Sequence, residues 1–185
     1  MRHRLFIAIN LPEKIKNRLS ELQSKYPELP ARWTKKQNLH ITLIFLGYVH
    51  QDEIPGILKT TEQIAKKHNA FSLVLNKICY GPPQKTPRMV WAIGEKSKEL
   101  GKLQSDLDNS LSNLSFKKES RPCSPHITLA RLNQWQFKQI ELEEKPQIEQ
   151  NINLDFEVNS IEIMQSHLKR TGAEYMLLQS MALGK

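Results

Sequence analysis

The sequence predicts an α+β fold of two pseudo-symmetric lobes, each a mainly antiparallel sheet with helices on its outer face, with a cleft between the lobes. Three observations predict it. A strand-then-helix block leads into a strand carrying His40-Ile41-Thr42-Leu43, and a second such block leads into one carrying His126-Ile127-Thr128-Leu129. Apolar positions fall at strand-like and helix-like spacings in turn along the chain. No long Gly/Ser linker divides the two blocks, so residues 1–185 read as a single bilobal domain.

The elements follow in order. Residues 4–9 form a buried apolar run that reads as a strand, and Pro12 suits the first turn of a helix. Ile15, Leu19 and Leu22 recur near helical spacing over residues 13–25, and Pro27 and Pro30 end that helix. Residues 32–34 and 39–46 read as strands, the second stopped by Gly47. Residues 52–67 form an amphipathic helix with Ile57, Leu58, Ile64 and Ala65 inward; Pro55 fits only in its first turn. Strands at 71–80 and 88–93 flank a Gly81-Pro82-Pro83 turn. Leu100, Leu103, Leu107 and Leu111 mark a third helix over 96–114, followed by the second motif strand at 124–132. A polar segment, 133–151, follows, and its acidic part, 141–149, reads as a solvated loop or short helix. Strands at 158–168 and 174–182 close the chain as an antiparallel pair around a turn at 169–172.

The duplicated motif carries the chemistry. Residues i and i+2 of a strand share a face, so each histidine lies beside its threonine while the intervening isoleucine anchors the core. Two imidazoles supply a general acid and a general base near neutral pH, and two hydroxyls supply donors for phosphate oxygens. That inventory suits phosphoester chemistry without a metal. A single His-x-Thr-Leu arises by chance in about one chain in fifty from ordinary residue usage, whereas two copies need roughly a few thousand chains. The motif alone leaves open which histidine gives and which takes a proton.

Composition bounds the rest. The chain is globular in make-up, with 39% hydrophobic and 25% charged residues, and its net charge of +8 favours a polyanionic partner. Cys79 and Cys123 lack any CxxC or zinc-ligand spacing and read as reduced thiols of a cytoplasmic protein. Cys123 lies three residues before His126, but no base stands ready to activate it as a nucleophile. Residues 1–10 are basic and then briefly apolar, too short for a signal segment, and no stretch reaches membrane-spanning length. No coiled-coil seam demands an oligomer or an obligate protein partner, which makes a monomer the expectation. A zinc site at His40 and His126 is the competing reading. Threonine is not a normal zinc ligand and no paired carboxylate flanks either motif, so neither metal nor other cofactor is expected.

The two motifs, with the opening RLFIAIN, the RW before NLHITLIFLG, the RMVWAI strand, SPHITLARL and the closing Gly172-Ala173-Glu174-Tyr175, resemble the 2H phosphoesterase superfamily, in its RNA 2′,3′-cyclic phosphodiesterase branch. The resemblance spans nearly the whole chain. It implies two α+β lobes around an active-site cleft and metal-independent hydrolysis of RNA 2′,3′-cyclic phosphate ends to 2′-phosphomonoesters. It also implies reversible, ATP-independent 2′-5′ RNA ligation. It assigns His40 as proton donor, His126 as proton acceptor, and Thr42 and Thr128 as holders of the non-bridging oxygens. RNA ends or cyclic nucleotides are then the substrate. Phe45 and Arg131, each five residues after its motif histidine, match positions that contact the nucleobase or its phosphate.

Alternatives stand beside this reading. Strict alternation puts Phe45 and Arg131 on the face opposite the histidines, where Phe45 packs the core and Arg131 forms a surface ion pair; only a bulge or strong twist returns them. Trp33 and Trp91 read as core. Arg32, Lys35, Lys36 and Arg121 outline a basic rim, and Tyr175 sits where the last strand approaches the cleft. His3, His50, His68 and His167 read as surface residues. The rival functions are a 2H esterase acting on another cyclic phosphate or a 2′-5′ linked nucleotide, and a non-catalytic module that holds RNA ends.

Overall fold

Strand-forming and helix-forming segments alternate as the patterning demands, and they assemble into one layer of strands covered by helices. The computed structural model describes residues 1–83, 86–114, 116, 124–170 and 172–184, with Leu142 as backbone alone. Among the described residues the strands are β1 (Arg2–Asn10), β2 (Ala31–Trp33), β3 (His40–His50), β4 (Phe71–Gly81), β5 (Met89–Gly94), β6 (His126–Leu132), β7 (Gln150–Val158), β8 (Ser160–Lys169) and β9 (Gly172–Ala182). The helices are α1 (Glu13–Gln23), α2 (Ile54–Ala65), α3 (Lys98–Ser112) and α4 (Gln134–Gln139). Pro12 opens α1, and Ser97 caps α3 by accepting the Leu100 N–H at 3.1 Å.

The fold class is α+β, with a large, open antiparallel sheet. Its order is β7-β4-β5-β6-β3-β1-β8-β9, with β2 also paired to β6. Between the central strands β3 and β6 a single residue pair, Ile41 with Ile127, is in register. The halves on either side correspond: β3-β1-β8-β9 against β6-β5-β4-β7. The two motif strands therefore lie side by side at the seam of one sheet rather than facing each other from separate sheets. Beyond the seam pair β3 and β6 part, and β2 takes the place next to β6 through Ala31–Leu132, Arg32–Arg131 and Trp33–Ala130.

One face of the sheet carries the core. Ile7, Ile9, Ile41 and Ile127 pack with Leu19 of α1, Ile57 of α2 and Leu107 of α3 in one cluster. Burying these aliphatic side chains drives assembly at roughly 25 cal/mol per Å² of apolar surface. The opposite face bears the histidines and threonines.

Three segments depart from the sequence reading. The strand stopped by Gly47 in expectation runs on to His50; Gly47 has a φ of 74°, and the pairing steps from Leu5–Gly47 to Phe6–Phe45 there. The glycine absorbs a bulge instead of ending the strand. The polar segment 133–151 holds α4, which Asn133 caps, and its acidic part contains a short 3₁₀ turn at Leu142–Glu144. Residues 150–158, placed partly in that segment, form the edge strand β7 against β4. Alternation of Ile152, Leu154, Phe156 and Val158 with polar residues is the signal for it, masked by the preceding acidic run. Of the closing turn, Arg170 and Gly172 are described; Thr171, Arg121 and Cys123 lie outside the described residues.

Candidate active site

The motif strands hold their histidines in matching ways. The Nδ1–H of His40 donates to the Asn38 carbonyl at 2.7 Å, and that of His126 donates to the Ser124 carbonyl at 3.0 Å. A carbonyl only accepts, so Nδ1 carries the proton in both rings and Nε2 is left for chemistry. In the neutral ring, His40 Nε2 accepts the Thr42 hydroxyl at 3.0 Å. The Thr128 hydroxyl instead points to Met89 Sδ at 3.9 Å.

The seam brings the four groups together. Counting antiparallel from Ile41–Ile127 sets His40 level with Thr128, and Thr42 level with His126. Ile41 and Ile127 are 1% and 0% exposed, directed into the core. Their neighbours at i±1 therefore share the opposite face. The result is a square of two imidazoles and two hydroxyls, each histidine diagonal to the other. Burial, partly opposed by the Asn38 hydrogen bond, holds the His40 pKa below the usual 6.5; the positive charges of protonated His126 and of Lys16 push it the same way. His126 thus lies near enough for its charge to act on His40.

Both motif strands contain the same irregularity. In β3, Ile7 pairs with Ile44 and Ala8 with Thr42, leaving Leu43 as an extra residue. In β6, Val90 pairs with Ala130 and Trp91 with Thr128, leaving Leu129 extra. Each bulge falls three residues after its histidine. Two successive residues, Leu43 with Ile44 and Leu129 with Ala130, are buried, after which Phe45 and Arg131 are exposed. The bulges return both to the histidine face. Phe45 is 64% exposed, with its ring 6.4 Å from that of Phe6. Arg131 Nη1 lies 3.7 Å from Met89 Sδ, the same sulfur that Thr128 touches.

Aromatic side chains frame the square. The Phe6 and Tyr175 rings lie 5.0 and 5.2 Å from the His40 ring, and Tyr175 meets it edge-on. Trp91 lies 4.6 Å from His126. Trp33 packs against the core as expected, whereas Trp91 does not belong there: its partner in β6 is Thr128, which places it on the histidine face. Lys16 of α1 is 5% exposed, with Nζ 3.6 Å from Glu13, and Glu13 also holds Lys36 at 2.8 Å. Glu162 of β8 is buried and accepts the Asn10 N–H at 3.0 Å, as well as the Ser160 and Ser180 hydroxyls. It thereby fixes the end of β1 where Asn10 pairs with His40.

Two further placements correct the sequence reading. His68 is not a surface residue; it is 8% exposed and bonded to Asp106 of α3 at 2.9 Å. His3 is half-buried, while His50 and His167 are exposed. Among the described residues no cluster of three or more His, Cys, Asp or Glu side chains is arranged to hold a metal ion. No helix among them is long and apolar enough to cross a membrane.

A duplicated His-x-Thr pair at the seam of a pseudo-symmetric antiparallel sheet defines a two-histidine phosphoesterase class. The chain belongs to the 2′-5′ RNA ligase superfamily, whose family model matches residues 11–170. It is 32% identical over 179 residues to the RNA 2′,3′-cyclic phosphodiesterase of Methanocaldococcus jannaschii, covering 95% of this chain and 98% of that protein. The crystal structure of a Thermus thermophilus protein superposes with a TM-score of 0.85 at 28% identity, covering 98% of this chain and 99% of that one. Escherichia coli LigT complexed with 3′-AMP superposes with a TM-score of 0.81 at 26% identity, over all of both chains.

Proposed function

We propose that this chain hydrolyses RNA 2′,3′-cyclic phosphate ends to 2′-phosphomonoesters. The observation that carries the reading is the square of His40, Thr42, His126 and Thr128 across one antiparallel register. Relatives named RNA 2′,3′-cyclic phosphodiesterase, which align over most of the chain, support it.

His126 Nε2 takes a proton from water as the water oxygen bonds to phosphorus. The P–O3′ bond breaks, and His40 Nε2–H gives its proton to O3′. Solvent exchange then restores both rings. Thr42 and Thr128 donate to the non-bridging oxygens as negative charge builds there. Burial leaves His40 inclined to the neutral form in the free protein. A phosphodiester anion held between the rings opposes that tendency and charges the donor in the complex. Phe45 offers a face for the base, and Arg131 a cation for phosphate. With a ribose 5′-hydroxyl of a second RNA in place of water, the same transfers make a 2′-5′ linkage without ATP. The reading includes a monomer acting in the cytoplasm, with no metal or other cofactor.

Replacing either histidine by alanine tests it. His40→Ala and His126→Ala each lower kcat on a 2′,3′-cyclic phosphate by about a hundredfold to ten-thousandfold, with circular dichroism unchanged. Full turnover by either variant contradicts the mechanism. Tight RNA binding by the wild type without turnover of any cyclic end favours a binding module instead.

A further inference from the structure

The histidine face does not end at Phe45. Along β1, Arg2, Arg4 and Phe6 share one face, and the 5.0 Å approach of the Phe6 ring to His40 marks it as the histidine face. β3 keeps step with β1 by a second bulge. Pairing moves from Phe6–Phe45 to Leu5–Gly47, which leaves Leu46 extra, and then to Arg4–Tyr48 and Arg2–His50. Leu46 is buried, and Gly47 takes up the slip at a φ of 74°. Strict alternation from Phe45 would turn Tyr48 into the core; the bulge returns it to the face. Tyr48 therefore lies two β1 residues beyond Phe45, about 7 Å along the strand at about 3.4 Å per residue. Its ring stays in water at 67% exposure. Arg4, directly across the ladder with its Cβ about 5 Å away, is exposed as well. Among the described residues no carboxylate pairs with it. Farther along, the Arg2 Nε–H donates to His50 Nε2 at 2.9 Å. One surface thus runs from the histidine–threonine square to Phe45 and on to a tyrosine–arginine pair.

We propose that Tyr48 and Arg4 form a second nucleotide subsite, which takes the base of the residue on the 5′ side of the nucleotide that bears the cyclic phosphate. The terminal base lies on Phe45, and the RNA continues along β3, away from the histidines, to Tyr48. An exposed aromatic face stacks a base of any identity, and a guanidinium beside it meets the phosphate that joins the two nucleotides. Charge selects this occupant. A protein surface seated here would bury Arg2 and Arg4 away from water, at a cost that only acidic partners offset, whereas single-stranded RNA brings its own anions. The subsite favours RNA ends over mononucleotide cyclic phosphates without reading sequence. This inference rests on the function proposed above.

The test compares kcat/KM for adenosine 2′,3′-cyclic phosphate with that for the dinucleotide ApA carrying the same cyclic end. The wild type favours the dinucleotide by about tenfold, within the range that stacking one base on an aromatic side chain supplies. Tyr48→Ala brings the ratio to about one and leaves turnover of the mononucleotide unchanged, whereas Tyr48→Phe keeps the preference. Arg4→Gln lowers the ratio about threefold, as loss of an exposed ion pair does. A dinucleotide whose 5′ residue lacks its base loses the preference in the wild type. A wild-type ratio near one, a Tyr48→Ala ratio equal to the wild type's, or an abasic dinucleotide as good as ApA overturns the proposal. If the wild type turns over neither substrate, the hydrolase reading fails, and calorimetry then decides the subsite alone. Tighter binding of ApA 2′-phosphate than of adenosine 2′-monophosphate, lost in Tyr48→Ala, supports it; equal affinities overturn it.

Discussion

His40 and His126 share a motif and a carbonyl partner two residues upstream, yet their surroundings differ. His40 sits among Phe6, Tyr175 and the buried Lys16, and its protonation is disfavoured in the folded chain. The unfolded chain binds that proton more readily, so stability is full above the unfolded pKa and falls as pH drops below it. On acidification below about pH 6.5, the wild type therefore loses melting temperature faster than His40→Gln. Thermal melts across pH check this, and parallel curves contradict it. The identities of the four motif residues were legible because i and i+2 in a strand must share a face. Trp91, Tyr175, Lys16 and Glu162 were not, or only faintly, because each reaches the site by strand pairing or helix packing between distant segments. A tryptophan in a strand of alternating exposure gives no local sign of which face it serves.

At the scale of elements, the paired bulges decide what the site contains. Phe45 and Arg131 reach the histidine face only because Leu43 and Leu129 are each accommodated as an extra residue. Strict alternation reverses the face, and nothing in either pentapeptide announces the slip; the recurrence of Leu then a second apolar residue, Leu43-Ile44 and Leu129-Ala130, is its one local trace. The end of β4 supports the other histidine by absence of a side chain. A Cβ on Gly81 would fall inside the Trp91 indole, which packs on His126. Gly81→Ala therefore displaces that ring. It costs about 1–3 kcal/mol of stability, as overpacking does, and lowers kcat/KM about tenfold, read by chemical denaturation and steady-state kinetics. An unchanged kcat/KM separates Trp91 from the site. The strand β7 is missing from the sequence reading although its alternation marks it, because the acidic run before it reads as loop, and α4 is obscured by its polar sequence, which exposes Trp135 and buries Phe137 alone.

For the whole molecule, the sequence order of strand, helix and motif strand was enough to anticipate an α+β fold with internal symmetry. It was not enough to show that the symmetric halves share one sheet, because a single in-register pair at Ile41 and Ile127 makes the join. That seam has a functional consequence. Two strands paired at one point set four polar side chains level with each other on one face, and the proposed mechanism places the phosphate between them. β2 lodges where the strands part, and the net charge of +8 suits an anionic substrate. In the proposed mechanism His40 and His126 act on one phosphorus, one toward the incoming water and one toward the departing O3′. The most direct measurement is phosphorus NMR of an RNA bearing a 2′,3′-cyclic phosphate after incubation with the protein. The wild type is expected to give a 2′-phosphomonoester as the sole new signal, and His40→Ala and His126→Ala none. A 3′-phosphomonoester, or ring opening undiminished in either variant, would contradict it.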